Sequence, residues 1–288
     1  MSKLKIQENI GLFQCPLCGS KMEVMELKSL VCSENHCFDF SKSGYVNFLL
    51  RPHKAQYDKG MFRSRSLLCK KGFFDPMIEK ICEIILRGVE KAKDEKLLIL
   101  DAGCGEGSHL YRAIRGLSEK GFPRLVGAGI DISKEGIQIA AKEYPDHIWC
   151  VGDLAKSPFA DGKFDVLLNI LTPSNYAEFN RILSYSGMLI KVVPGPHYLG
   201  ELRECFYEKT DKQSYSNERV VERFHEGFCL LDKQRVSYQV KLDAGDLDHL
   251  IRMTPLSWGA SDEKVEQAIE AGIDRITVDL VIMYGEKK

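Results

Sequence analysis

The sequence predicts an α/β protein, a doubly wound and mostly parallel seven-stranded sheet behind a small N-terminal zinc-ribbon-like module. Three observations predict it. Short apolar runs alternate with amphipathic helical stretches from Leu97 onward, the pattern of a parallel sheet with crossover helices. The first of these runs ends in a glycine-rich loop. A cluster of cysteines with metal-ligand spacing stands near the front of the chain.

The bulk properties fit a globular protein: 288 residues, 44% hydrophobic and 28% charged, with a net charge of −1. That length buries a large core and suits one large domain with a small one. The longest apolar runs, Leu97 to Leu100 and Val166 to Leu171, suit buried strands and are too short to span a membrane. The opening residues, MSKLKIQENIGLF, lack the apolar core of a signal peptide, so a cytoplasmic protein without membrane partners is expected. Ten cysteines in that setting point to reduced thiols or metal ligands rather than disulfides.

Cys15-Pro-Leu-Cys18-Gly forms a knuckle whose glycine permits the tight turn that aims amides at two thiolates. Cys32 and the His36-Cys37 pair follow a short strand-like stretch from Met22 to Val31. Tetrahedral zinc takes four sulfur or nitrogen ligands. Cys15, Cys18 and Cys32 supply three, and spacing leaves the fourth open between His36 and Cys37. The competing reading, a redox CxxC pair, requires a strand-to-helix junction. The Pro-Leu pair, the glycine and the second Cys/His half argue against it. Four protein ligands leave no open position, so the site is expected to be one structural zinc.

The division expected is a zinc module over 1–42, a basic linker with helices over 43–95 and a catalytic domain over 96–288. Lys42, Arg51, Lys54, Lys59, Arg63, Arg65, Lys70 and Lys71 face only Asp58 between positions 42 and 71. Such local basicity binds phosphate even on a neutral chain, although a solvated helix face accounts for the charges equally well. Arg51, Lys54, Arg63, Arg65, Lys70 and Lys71 are the candidate phosphate contacts. Phe38 to Leu50 reads as a strand or turn segment docked on the zinc module. Phe62 to Lys71 reads as a helix closed by Gly72, and Met77 to Lys91 as the next one.

The strand Leu97–Leu100 runs into Asp101, then Gly103, Gly105 and Gly107, with a helix from Ser108. Glycines there let the backbone turn sharply and bring a ligand to the helix start. A second strand (Leu125 to Ile130) ends in Asp131, placed to accept both ribose hydroxyls of a nucleotide. A third, His147 to Val151, ends in Gly152-Asp153. A fourth spans Phe164 to Ile170. The fifth, Met188 to Val193, is closed by Pro194-Gly195-Pro196. A dinucleotide fold prefers GxGxxG and must hold a pyrophosphate. The carboxylates of Asp101 and Glu106 beside this GxGxG loop repel a pyrophosphate and suit the ammonium and sulfonium of S-adenosylmethionine. Phe228 to Leu242 and Ile276 to Tyr284 read as the closing antiparallel strands, with a helical insertion over the site between them.

FxCPLC, CxxxHxFDxxKxGYVN, the basic segment, LDxGCGEG, GxDxS, the Thr172-Pro173 segment and the Pro194-Gly195-Pro196 turn together resemble the RlmA-type ribosomal RNA guanine-N1 methyltransferases. The match runs from Phe13 to about Trp258. Thr172-Pro173…Ala177-Glu178-Phe179 and Met253-Thr254-Pro255-Leu256-Ser257-Trp258 look like the Gram-positive-type branch. The glycine loop alone fits any class I methyltransferase. Its coupling to a zinc knuckle and Gly44-Tyr45-Val46-Asn47 is far more specific.

The resemblance implies a class I Rossmann-like methyltransferase fold and transfer of methyl to N1 of a guanine in a hairpin loop of 23S ribosomal RNA. That loop lies near the peptide exit tunnel, a region tied to macrolide antibiotics. It implies Cys15, Cys18, Cys32 and His36 as the zinc ligands. It places Gly105 and Glu106 closest to the cofactor, with Phe74 as an aromatic contact, and it implies homodimers. The family often carries a residue and then His-Leu after the proline-glycine-proline turn. Here His197-Tyr198-Leu199 stands there, so Tyr198 takes the usual His position. The expected cofactor set is Phe74, Asp101, Gly103, Gly105, Glu106, Gly107, Asp131, Asp153 and Tyr198.

Guanine N1 carries a proton and lies on the pairing edge, so the base must be unpaired or flipped out and its proton removed. Asp153, Asn169 and His197 are the candidates for the base, and the sequence selects none of them. A methyltransferase for a small molecule or protein, a non-catalytic RNA-binding relative and a dinucleotide oxidoreductase are the alternatives, the last opposed by the loop carboxylates.

Overall fold

Alternation of apolar residues along each strand decides where the core lies. Leu97 and Ile99 pack to one face of the central sheet and Leu100 and Ala102 to the other. The computed structural model describes residues 2–51, 58–89, 95–122, 124–207 and 216–288.

The front of the chain holds helix α1 (Ser2–Glu8) and a three-stranded antiparallel sheet of β1 (Met22–Met25), β2 (Ser29–Cys32) and β3 (Cys37–Asp39). Strand β4 (Val46–Asn47) and helices α2 (Lys59–Lys70) and α3 (Asp75–Gly88) follow. The alternating part comprises β5 (Leu97–Ala102), α4 (Ser108–Glu119), β6 (Leu125–Asp131), α5 (Lys134–Glu143) and β7 (Ile148–Val151). It continues through β8 (Phe164–Ile170), α6 (Tyr176–Ile182), β9 (Leu183–Pro194), α7 (Gly200–Tyr207) and α8 (Glu218–Gly227). The last elements are β10 (Phe228–Lys241), α9 (Ala244–Met253), α10 (Asp262–Glu270) and β11 (Arg275–Lys287).

The central sheet has eight strands in the order β10-β11-β9-β8-β5-β6-β7-β4, one more than the seven expected. The extra strand is β4, whose Val46 and Asn47 pair in parallel with Cys150 and Val151 of β7. The Gly44-Tyr45-Val46-Asn47 motif thus reaches the methyltransferase sheet itself, and the Phe48 amide adds a bond to the Val151 carbonyl at 2.8 Å. A two-residue edge strand carries no alternation for a sequence reading to detect. The two closing strands run as expected, β11 lying antiparallel between β9 and β10.

The zinc module has little apolar interior of its own. Leu12, Phe13, Leu30, Phe38 and Phe48 join Ala102, Ile130, Cys150 and Phe159 beneath the sheet in one continuous core. Two backbone bonds staple the layers, from the Gln14 amide to the Pro158 carbonyl (2.9 Å) and from the Ala160 amide to the Leu12 carbonyl (2.8 Å).

Burial also sets an acid limit. His147 at the start of β7 is 9% exposed, and desolvation lowers its pKa to about 4. An unfolded histidine protonates near its ordinary value, so the stability from the neutral buried ring is complete above about 6.5 and is lost as pH falls toward 4. At pH 5 that loss is about 2 kcal/mol. Thermal melts should show a clear drop in Tm between pH 7.5 and 5, with a shallower slope in His147→Gln. An unchanged slope in that variant would refute the assignment.

Candidate functional site

Gly19, at φ 73°, lets the knuckle turn back so that its amide donates to the Cys15 carbonyl at 2.8 Å. On the second half, Asn35 takes φ 61° and swings His36 inward. The ligand atoms of Cys15, Cys18, Cys32 and His36 all lie within 4.8 Å of one another. Cys18 Sγ to Cys32 Sγ is 3.7 Å. His36 Nδ1 is 3.4 Å from the sulfurs of both Cys15 and Cys32. A tetrahedron with metal–sulfur bonds of about 2.3 Å has sulfur–sulfur edges of about 3.8 Å. The cluster therefore fits one structural zinc, with His36 as fourth ligand. Cys37 is exposed and its thiol is directed at Asp39.

The second site lies at the carboxyl ends of the central strands. A cavity of about 950 Å³ opens there, walled by Gly103, Gly105, Asp131, Asp153, Phe74 and Tyr198 among others. The glycine loop is tightly enclosed. A Cβ on Gly103, at φ 84°, would stand 2.5 Å from Thr172 Oγ1, and one on Gly107, at φ 83°, would stand 2.5 Å from the Trp149 ring. Asp131 fastens the loop: one carboxylate oxygen accepts the Gly105 amide and the other the Ser133 amide, both at 2.8 Å. Each oxygen keeps a further lone pair for a ligand hydroxyl.

Asp101 is 1% exposed, and neither of its oxygens has a hydrogen-bond partner among the described residues. Burial lifts its pKa to about 7. Such a carboxylate awaits a cation or donor in its neighbourhood. Glu106 is completely buried, does not line the cavity and pairs with Arg65 Nε of α2 at 3.3 Å. Of the expected cofactor residues, Asp101, Glu106 and Gly107 therefore stand behind the loop rather than on the cavity wall.

The strand-end turns explain Tyr198. Asp279 of β11 is buried, takes Arg235 through both oxygens (2.6 and 2.9 Å), and accepts the His197 amide at 2.9 Å. This anchors Pro194-Gly195-Pro196 so that the Tyr198 side chain enters the cavity while His197 is exposed. Among the candidate bases, only Asp153 reaches the cavity wall. Asn169 is buried behind it, donating to the Ala102 and Pro173 carbonyls at 2.9 and 3.1 Å.

The basic segment divides. Arg51 and Arg63 are exposed, and Lys54 lies outside the described residues. Arg65 is turned inward, between Glu106 and the His109 ring at 3.1 Å. Lys70 pairs with Glu143 at 2.7 Å and Lys71 with Asp246 at 2.5 Å. These three phosphate candidates are already engaged, because helix packing brings distant carboxylates to them.

Lys191 escaped the sequence reading. It is 3% exposed on β9 and still reaches the cavity. A lysine inside the apolar run Met188 to Val193 was the available signal, since an unneutralised buried cation is costly.

Two family models match the chain. One is the RlmA N-terminal zinc ribbon over residues 13–55, and the other a methyltransferase domain over residues 93–213. A putative 23S rRNA (guanine-N(1)-)-methyltransferase of Bacillus subtilis is 44% identical over 99% of this chain and 100% of its own. The chain belongs to the RlmA methyltransferase family. The 23S rRNA (guanine(748)-N(1))-methyltransferase of Streptomyces fradiae is similar at 27% identity over 94% of this chain and 95% of its own. The structure of a SAM-dependent methyltransferase from Aquifex aeolicus matches with a TM-score of 0.48 at 14% identity, covering 81% of this chain and 100% of that one.

An RlmA-family chain is an S-adenosylmethionine-dependent methyltransferase, and the second site suits that ligand. The glycine loop is closely enclosed, Asp131 lines the cavity with free lone pairs, and Asp101 is a buried carboxylate without a hydrogen-bond partner among the described residues. No helix among the described residues is long and apolar enough to cross a membrane.

Proposed function

We propose that this protein transfers the methyl group of S-adenosylmethionine to N1 of a guanine in a hairpin loop of 23S ribosomal RNA. The observation that carries this reading is the end-to-end 44% identity to the Bacillus relative named for that reaction. The zinc ribbon fused to the methyltransferase sheet supports it.

When bound, S-adenosylmethionine supplies an electrophilic methyl group on sulfonium. Phe74, Asp101, Gly103, Gly105, Glu106, Gly107, Asp131, Asp153 and Tyr198 form its proposed site. Asp131 takes the ribose hydroxyls and Asp153 borders the adenine. Phe74 and Tyr198 wall the ligand from water. Glu106 acts through Arg65, holding α2 down over the loop. The 1–42 module and the exposed cations of the 43–95 segment, Arg51 and Arg63, guide RNA to the 96–288 domain. Two such chains pair as a homodimer in the cytoplasm.

The test uses protein-free large-subunit RNA from a strain lacking this gene. Incubation with enzyme and S-adenosylmethionine should create one reverse-transcriptase stop, a nucleotide before the target, because methylation at N1 blocks the pairing edge. Cofactor binding without any stop would overturn the RNA reading.

Arg65 offers a smaller check. Arg65→Ala leaves Glu106 buried and unpaired, which costs about 3–5 kcal/mol in a buried pair and less here because Arg65 keeps some solvent contact. The Kd for S-adenosylmethionine, measured by calorimetry, should rise about tenfold or more. An unchanged Kd would show that α2 does not brace the loop.

A further inference from the structure

Neither the zinc cluster nor the proposed cofactor set uses Lys191, yet it is the most enclosed cation on the cavity wall. Its Nζ donates to Asn169 Oδ1 at 2.6 Å and to the Thr172 carbonyl. Both partners are neutral acceptors. An ammonium has three protons, so one remains for the cavity.

The partners are themselves fixed. The Asn169 amide nitrogen is committed to the Ala102 and Pro173 carbonyls, which forces its oxygen toward Lys191. Ser174 Oγ donates to the same oxygen at 2.8 Å. Thr172 packs against Gly103, so the ammonium stands one residue removed from the cofactor loop.

We propose that Lys191 donates a hydrogen bond to O6 of the target guanine and stabilises the negative charge that appears there when N1 loses its proton. This assignment rests on the guanine-N1 reading above. As the N1 proton departs to solvent, the charge is shared between N1 and O6. A preorganised, largely buried cation beside O6 favours that anion. Lys191 keeps its own proton throughout and forms no covalent bond. Burial lowers its pKa only to about 8, so it remains charged at neutral pH.

Two variants test this, Lys191→Met and Lys191→Gln, assayed on the hairpin RNA by steady-state methylation kinetics. Glutamine can keep bonds to Asn169 and Thr172, which guards against misfolding. The expected result is a fall in kcat of about 10²–10³-fold in the methionine variant, with KM for RNA and Kd for S-adenosylmethionine nearly unchanged. A comparable fall is expected in the glutamine variant, whose two amide protons are taken by Asn169 and Thr172 and leave neither charge nor donor for O6. Unchanged kcat in either folded variant overturns the proposal. A parallel collapse of cofactor affinity in both variants also overturns it, because Lys191 would then only brace Thr172 against the loop. Failure of the wild-type protein to methylate the RNA would instead refute the guanine-N1 reading.

Discussion

Replacing Cys32 by serine is expected to abolish zinc retention and lower Tm by about 5 °C or more. The four ligand atoms already stand at tetrahedral spacings, and zinc binding contributes on the order of 10 kcal/mol in isolated zinc modules. Losing even a third of that corresponds to roughly 5 °C in a chain of this size. The damage should extend beyond the module. Gln14, Leu12 and Phe13 bond or pack to Pro158, Ala160 and Phe159, a few residues beyond Asp153. Cofactor affinity should therefore fall as well. Zinc content, melting and calorimetry of one preparation check all three effects. Cys37→Ser is the control, and it should leave zinc and Tm unchanged. Equal zinc loss in both variants would contradict the ligand assignment.

Asp131→Ala is expected to raise the Kd for S-adenosylmethionine by about 100-fold or more. The substitution removes the acceptors for the Gly105 and Ser133 amides together with the proposed ribose contact. Each charge-assisted bond contributes about 1.5–3 kcal/mol, and tenfold in Kd corresponds to about 1.4 kcal/mol. The effect on Tm should be modest, because the strand beneath keeps its ladder to β5 and β7. Asp131→Asn retains one acceptor and should fall between. A Kd within threefold of wild type in the alanine variant would remove Asp131 from the site.

Much of this was legible in linear form. The strand-helix alternation from Leu97 gives the parallel sheet because side-chain period and run length are local properties. The glycine loop ending in Asp101 to Gly107, and Asp131 and Asp153 at the ends of the next two strands, are legible because strand ends in such sheets converge on one edge. Long-range pairing was not legible. Arg65 read as a phosphate ligand, since nothing local shows that packing will set it against Glu106. Lys70 and Lys71 met carboxylates far along the chain in the same way. Spacing left His36 and Cys37 equivalent, and only the positive φ of Asn35 placed one ring nitrogen against two sulfurs.

The sequence by itself determined the two-part architecture, the metal-binding character of the N-terminal cysteines and the glycine-rich loop after the first strand, because each rests on residues within a few positions of one another. The tertiary structure alone decided three further matters. It made β4 an eighth strand that welds the zinc module to the sheet. It turned Tyr198 rather than His197 into the cavity through Asp279. It set Lys191 against Asn169 and Thr172 at the cavity wall. Each depends on segments 20 to more than 100 residues apart meeting in one low-dielectric environment, where partner and burial, rather than residue type, fix what a side chain does.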